Sequence, residues 1–155
     1  MPKYFFDTSA LATVYRKEIG SDFVDRILSE PSSQQIMSRL SIMEMESVLA
    51  LKVRTGEIDR QSALIARRRL DADLGRRRLL VAAVNDEHFQ AARQLLFKHG
   101  VVEALRALDA LQLSVGLGLK RAGLVALFVA ADQKLCRVAM IEGLPWRTPR
   151  NPLQL

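Results

Sequence analysis

Short apolar runs alternate with helical stretches along the chain, and this alternation limits the possible folds more than any other feature of the sequence. Tyr4-Phe5-Phe6, Ile36-Met37-Ser38, Leu79 to Val84 and Leu124 to Ala130 each have strand length, and residues of helical composition follow each one. Apolar runs of this kind suit a parallel sheet, whose strands are buried on both faces and joined by helical crossovers. The expected class is α/β: a three-layer α/β/α sandwich with a mainly parallel central sheet. In such a sheet, ligands bind beyond the carboxyl ends of the strands.

Local signals set the helix boundaries. Helical composition runs from Thr8 to Tyr15, and Ser21 is placed to cap a second helix ending near Ser29, before the loop Glu30-Pro31-Ser32-Ser33. Ser41 with Glu44 forms an S-x-x-E capping box, and that helix runs to Gly56, a left-handed C-terminal residue. Asp59 and Asn85 are further cap candidates, the second opening a helix that ends before Gly100. Val101 to Leu119 reads as mostly helical, with Gly116 and Gly118 loosening its end. A last helix from Asp132 to about Ile141 gives way to a tail marked by Pro145, Pro149 and Pro152.

Length and composition narrow the class further. With 155 residues, 49% of them hydrophobic, the chain suits one domain spanning 1–155 and is not disordered. Cys136 is the sole cysteine, so neither an internal disulfide nor a cysteine zinc cluster is available, and a reducing compartment is expected. Ala110–Leu119 and Ala122–Ala131 are too short to span a membrane, and Asp7 interrupts the first apolar segment too early for a secretory signal. These features together give a cytoplasmic expectation.

The 23 Lys and Arg exceed the 17 Asp and Glu, for a formal charge of +6, which favours a polyanionic partner. Two arginine runs stand out. Arg67 and Arg69 each precede an aspartate by four positions, Asp71 and Asp73, and fit a solvated helix face with intrahelical ion pairs. Arg76, Arg77 and Arg78 have fewer acids nearby and are the better phosphate-binding candidates.

Histidine and cysteine are too scarce for the common nucleophile and base pairs; His88 and His99 read as structural, and no Gly-rich phosphate loop is present. What remains is a set of acids in unusual places. Asp7 ends the first apolar run and Asp132 the last, where each is also a plausible helix cap. Glu44 has helical spacing with Val48 and Leu51, and Asp109 shares a helix face with Leu105 and Leu113. A carboxylate buried there unpaired is costly, so it calls for a cation, either Arg106 three positions earlier or a metal. Acids gathered at one sheet edge repel one another unless a cation sits among them, and an all-oxygen set suits Mg²⁺ or Mn²⁺.

Four stretches in order resemble the PIN-domain family, and within it the VapC-type toxin ribonucleases of bacterial toxin–antitoxin pairs. They are Phe6-Asp7-Thr8-Ser9-Ala10-Leu11, Ser38-Arg39-Leu40-Ser41-Ile42-Met43-Glu44, Leu108-Asp109-Ala110-Leu111-Gln112-Leu113 and Phe128-Val129-Ala130-Ala131-Asp132-Gln133-Lys134-Leu135. The resemblance implies that Asp7, Glu44, Asp109 and Asp132 form a metal-binding catalytic site, with Ser9 and Thr8 close to it. It also implies Mg²⁺- or Mn²⁺-dependent endoribonuclease activity, frequent homodimerisation, and inhibition by a small cognate antitoxin. RNA would then be the polyanion held by Arg76, Arg77 and Arg78. Ala130 stands where such proteins often carry Thr or Ser, and Gln112 where a histidine or another residue is common. Two rival readings are a haloacid-dehalogenase-like phosphohydrolase and an inert PIN-like RNA or protein interaction module. The first wants a second acid two residues after Asp7, where this chain has Ser9.

Overall fold

The computed structural model describes residues 3–16 and 21–149, and the apolar runs become parallel strands within it. Their sheet has the order β3-β2-β1-β4-β5, from β1 (Lys3–Phe6), β2 (Gln34–Ser38), β3 (Leu80–Ala82), β4 (Leu127–Val129) and β5 (Trp146–Arg147). All four pairings are parallel. Helices α1 (Thr8–Arg16), α2 (Ser21–Ser29), α3 (Arg39–Arg54) and α4 (Arg60–Gly75) are interleaved with the first strands. After β3 come α5 (Asp86–His99), α6 (Ala107–Arg121) and α7 (Gln133–Ile141).

Successive strand side chains point to opposite faces, and the register turns that into two cores. Phe5 is paired with Ile36 and Phe128, and all three enter a core built with α5, α6 and α7. Phe6 is paired with Met37 and Val129, which enter the other core with residues of α1 to α4. The result is the expected three-layer α/β/α sandwich. Gly116 lies within α6 where it crosses β1: a methyl group there would stand 2.9 Å from the Phe5 ring and 3.3 Å from Leu144.

Several local expectations hold. Asp59 caps α4 by accepting from Ser62 N–H, and Gly56 follows α3 with φ +78°. Asn85 and His88 form a reciprocal capping box on α5, and His99 is buried against Glu142 at 2.6 Å, so both histidines are structural. Asp132 caps α7.

Other expectations are corrected. Helix α3 is capped by Ser38, whose hydroxyl accepts from Ser41 N–H, so Ser41 and Glu44 do not form the capping box. The residues 101–106 form a loop: Ala104 has φ +53°, outside the helical region, and Val101 and Val102 are 94% and 83% exposed. Helix α6 instead starts at Ala107 and continues through Gly116 and Gly118 to Arg121. The run 79–84 contributes a three-residue edge strand with Val81 45% exposed, and 124–130 contributes only Leu127–Val129. Part of the Pro-rich tail forms β5, and Pro152 lies outside the described residues. Arg67 and Arg69 of α4 pair between helices: Arg67 with Glu46 of α3, and Arg69 with Asp25 of α2 at 3.5 Å. Among the described residues, no helix is long and apolar enough to cross a membrane.

Candidate active site

The parallel sheet brings the ends of β1, β2 and β4 to one edge, and the acids singled out in the sequence follow from that placement. Asp7 directly succeeds β1 and is 5% exposed. Its Oδ2 accepts from the Ser9 hydroxyl at 2.5 Å and from Ser9 N–H at 3.1 Å. The Ser9 oxygen in turn accepts from Ala131 N–H at 3.0 Å, which ties Asp7 to the turn carrying Asp132. Asp132 Oδ1 accepts from the backbone N–H groups of Lys134 (2.9 Å) and Leu135 (3.3 Å), so this carboxylate does cap its helix.

Glu44 lies in the second turn of α3 and is half-buried. Its Oε1 accepts from Gln112 Nε2 at 2.8 Å and from the Thr8 hydroxyl at 3.1 Å. Asp109 occupies the first turn of α6, where a negative charge is favoured by the helix dipole. Arg106 Nε, from the residue that precedes α6, donates to its Oδ2 at 3.1 Å and is the cation three positions earlier that the sequence offered.

The carboxylates sense one another. Burial raises the Asp7 carboxyl to about 6; its two hydrogen bonds from Ser9 oppose this, and the charges of Glu44 and Asp109 add to it. Burial raises Glu44 too, against hydrogen bonds from Gln112 and Thr8 and with help from Asp109. Arg106 stays protonated through its bond to Asp109, and the charges of Asp132 and Asp7 act on it in the same direction. The nearby Cys136 thiol is pushed up to about 12, chiefly by burial and further by Asp7 and Asp132, so it is not a nucleophile.

An open cleft of about 820 Å³ adjoins these groups. Ser9, Asp109 and Asp132 line it, together with Lys52, Arg106, Lys134 and Arg137. Sequence reading had not singled out these cations as a group, since they come from α3, α7 and the loop before α6. The helical spacing of Lys134 and Arg137, and of Val48 and Lys52 after Glu44, is the signal that was available. Arg76, Arg77 and Arg78 do not line the cleft; they precede β3 and so lie at the amino edge of the sheet, with Arg78 paired to Asp73 at 3.2 Å. Arg77 has φ +56° and sits just beyond the C-terminus of α4, where the helix dipole favours cations.

Among the described residues, no three His, Cys, Asp or Glu side chains stand close enough to hold a metal ion unaided. Donor chemistry nonetheless suits a hard cation: the groups offer oxygen only, and like charge is concentrated around Asp7. Mg²⁺ commonly retains several waters and takes only one or two carboxylates, so a closed cage is not required.

The chain belongs to the PIN-domain family, whose model matches residues 4–140. In structure it is similar to VapBC2 from Rickettsia felis bound to a promoter DNA fragment, at 15% identity and a TM-score of 0.65, covering 94% of this chain and 98% of that one. It is similar also to the sarcin-ricin loop cleaving toxin VapC20 of Mycobacterium tuberculosis, at 19% identity and a TM-score of 0.63, covering 92% and 99% of the two chains. PAE2754 from Pyrobaculum aerophilum has 19% identity and a TM-score of 0.59, with 94% and 83% covered. Comparison of the sequence with curated proteins gives no significant match.

Proposed function

We propose that this PIN domain is a Mg²⁺- or Mn²⁺-dependent endoribonuclease, acting as the toxin of a toxin–antitoxin pair that a small cognate antitoxin inhibits. The observation that carries the nuclease reading is the placement of a buried Asp7 carboxyl, raised to about 6 chiefly by burial and further by the charges of Glu44 and Asp109, beside a cleft that four cationic side chains line. Helix capping accounts for Asp132, and the helix dipole with Arg106 for Asp109, but neither accounts for burying Asp7 beside Glu44, whereas a cation and a polyanion together would neutralise both sets. Support for the toxin reading comes from similarity to VapBC structures, among them complexes from Rickettsia felis and nontypeable Haemophilus influenzae. One nuclease domain over 1–155, a cytoplasmic location and a homodimer belong to the same reading.

This reading assigns a role to each side chain. Asp7, Glu44 and Asp109 are the oxygen donors, directly or through water, and Asp132 serves the same ion or a second one. A cation held by these residues would supply an acidified water and charge stabilisation for in-line phosphodiester hydrolysis. Ser9 holds the Asp7 carboxylate by two hydrogen bonds, and Thr8 donates to Glu44. Lys52, Arg106, Lys134 and Arg137 hold the RNA backbone along the cleft. Asp7→Asn should abolish Mn²⁺-dependent RNA cleavage while the far-ultraviolet circular dichroism stays unchanged; undiminished cleavage by a folded variant contradicts the assignment.

One observation favours a second reading, an inert PIN-like interaction module: the carboxylates among the described residues do not form a ready-made metal group. Such a module would bind RNA or protein with no carboxylate-dependent affinity for Mn²⁺.

A further inference from the structure

Gln112 sits in the buried stretch of α6 between Ala110 and Leu117, is 1% exposed, and follows Asp109 by one turn. An apolar side chain would fill such a position without the cost of burying an amide. The Gln112 amide is instead satisfied by groups from three other segments. Its Nε2 donates to Glu44 Oε1 at 2.8 Å and lies 2.7 Å from Ser41 Oγ and 3.0 Å from Thr8 Oγ1. Its Oε1 accepts from the Ser38 hydroxyl at 2.7 Å.

Chemistry fixes the orientation of this amide. An ionised carboxylate only accepts, so the nitrogen must face Glu44. Ser38 Oγ already accepts from Ser41 N–H at 3.3 Å, which leaves its proton for the Gln112 oxygen. Both ends of the amide then have partners. The same side chain thereby connects α6, which carries Asp109, to α3, which carries Glu44, and to Thr8, the neighbour of Asp7.

We propose that Gln112 is a positioning residue for the acidic site, its amide fixing Glu44 relative to Asp7 and Asp109 so that the site takes a divalent cation directly or through bound water. The proposal rests on the metal-dependent reading above. Ser38 alone caps α3, so the amide is not needed to start that helix. Outer-shell partners of metal ligands commonly change affinity by about 10–100-fold when removed.

The test is Mn²⁺ calorimetry on the full chain. Gln112→Met keeps side-chain length and removes the donor; it should weaken Mn²⁺ binding about tenfold or more. Gly116→Ala, on the same helix but against Phe5, is the control for general destabilisation and should bind Mn²⁺ like wild type while melting at a lower temperature. If Gln112→Met does not fold, Gln112→Asn replaces it, with an amide one methylene too short to span Ser38 and Glu44 and a several-fold loss expected. Wild-type affinity in the folded Gln112 variant, or an equal loss in Gly116→Ala, overturns the proposal. A wild type that binds no Mn²⁺ overturns the metal reading with it, whereas wild-type binding that Glu44→Gln weakens and the Gln112 variant does not overturns the positioning role alone.

Discussion

Asp7 shows how one buried carboxyl couples stability to pH. Its pKa is about 6 in the folded protein against 3.8 for the ordinary side chain, so the folded state holds the proton more tightly. For an acid raised in this way, its contribution to stability is fully present below 3.8 and is lost as pH rises through about 6. In chelator-treated protein, the difference in stability between Asp7→Asn and wild type should therefore grow across that window, reaching on the order of 2–3 kcal/mol in favour of Asn at neutral pH. Denaturant titrations at several pH values measure it; a difference that is flat from pH 4 to 7 contradicts the burial argument. Loss of activity with gain of metal-free stability would mark Asp7 as a group kept for function at a cost to folding.

At this scale the sequence revealed the acids more readily than what holds them. Asp7 and Asp132 were legible because each ends an apolar run, and a strand end is a position that local pattern defines. Glu44 was found with the wrong local partner: Ser41 has the spacing of a capping box, but Ser38 performs the capping and Glu44 turns toward Thr8 and Gln112. The Gln112 contacts join residues 68 to 104 positions apart, and nothing in a local window encodes them.

Among the elements, α6 carries the most consequences. It brings Asp109 and Gln112 to the site and then crosses β1 through Gly116, where an added methyl would lie 2.9 Å from the buried Phe5 ring. Phe5 is stacked against Phe128 with ring centroids 5.9 Å apart, so the ring cannot swing away without disturbing β4. Gly116→Ala should thus lower stability by about 1 kcal/mol, because overpacking outweighs the helix-propensity gain. Gly75, in the last turn of α4, has open space around it, and Gly75→Ala should raise stability by about 0.5–1 kcal/mol. Opposite shifts in melting temperature verify the pair, and a stabilising Gly116→Ala refutes the packing argument. The boundaries of α6 also show where pattern misleads: Val101 and Val102 look like helix interior, yet the chain turns at Ala104 and leaves both in solvent. The strand β5 was missed because two residues among prolines carry no period at all.

Across the whole molecule, charge placement separates two sets of cations that composition merges. Arg76, Arg77 and Arg78 form the densest basic run but lie at the sheet edge away from Asp7, while Lys52, Arg106, Lys134 and Arg137 are scattered in sequence and share one cleft with Asp109 and Asp132. The parallel direction of the strands decides this, because residues that precede a strand lie at the amino edge of the sheet and those that follow one at the carboxyl edge. Arg76→Ala or Arg77→Ala would accordingly be poor tests of RNA binding at the cleft.

On the proposed nuclease reading, a divalent cation and RNA bind jointly where the acids and these cations meet. Calorimetric titration of Mn²⁺ into wild type and Asp109→Asn, with and without a non-cleavable RNA oligonucleotide, tests it most directly. RNA should tighten Mn²⁺ binding to wild type, Mn²⁺ should tighten RNA binding by the same factor, and Asp109→Asn should lose both effects. Mn²⁺ affinity indifferent to RNA, or unchanged by loss of the Asp109 carboxylate, would contradict it.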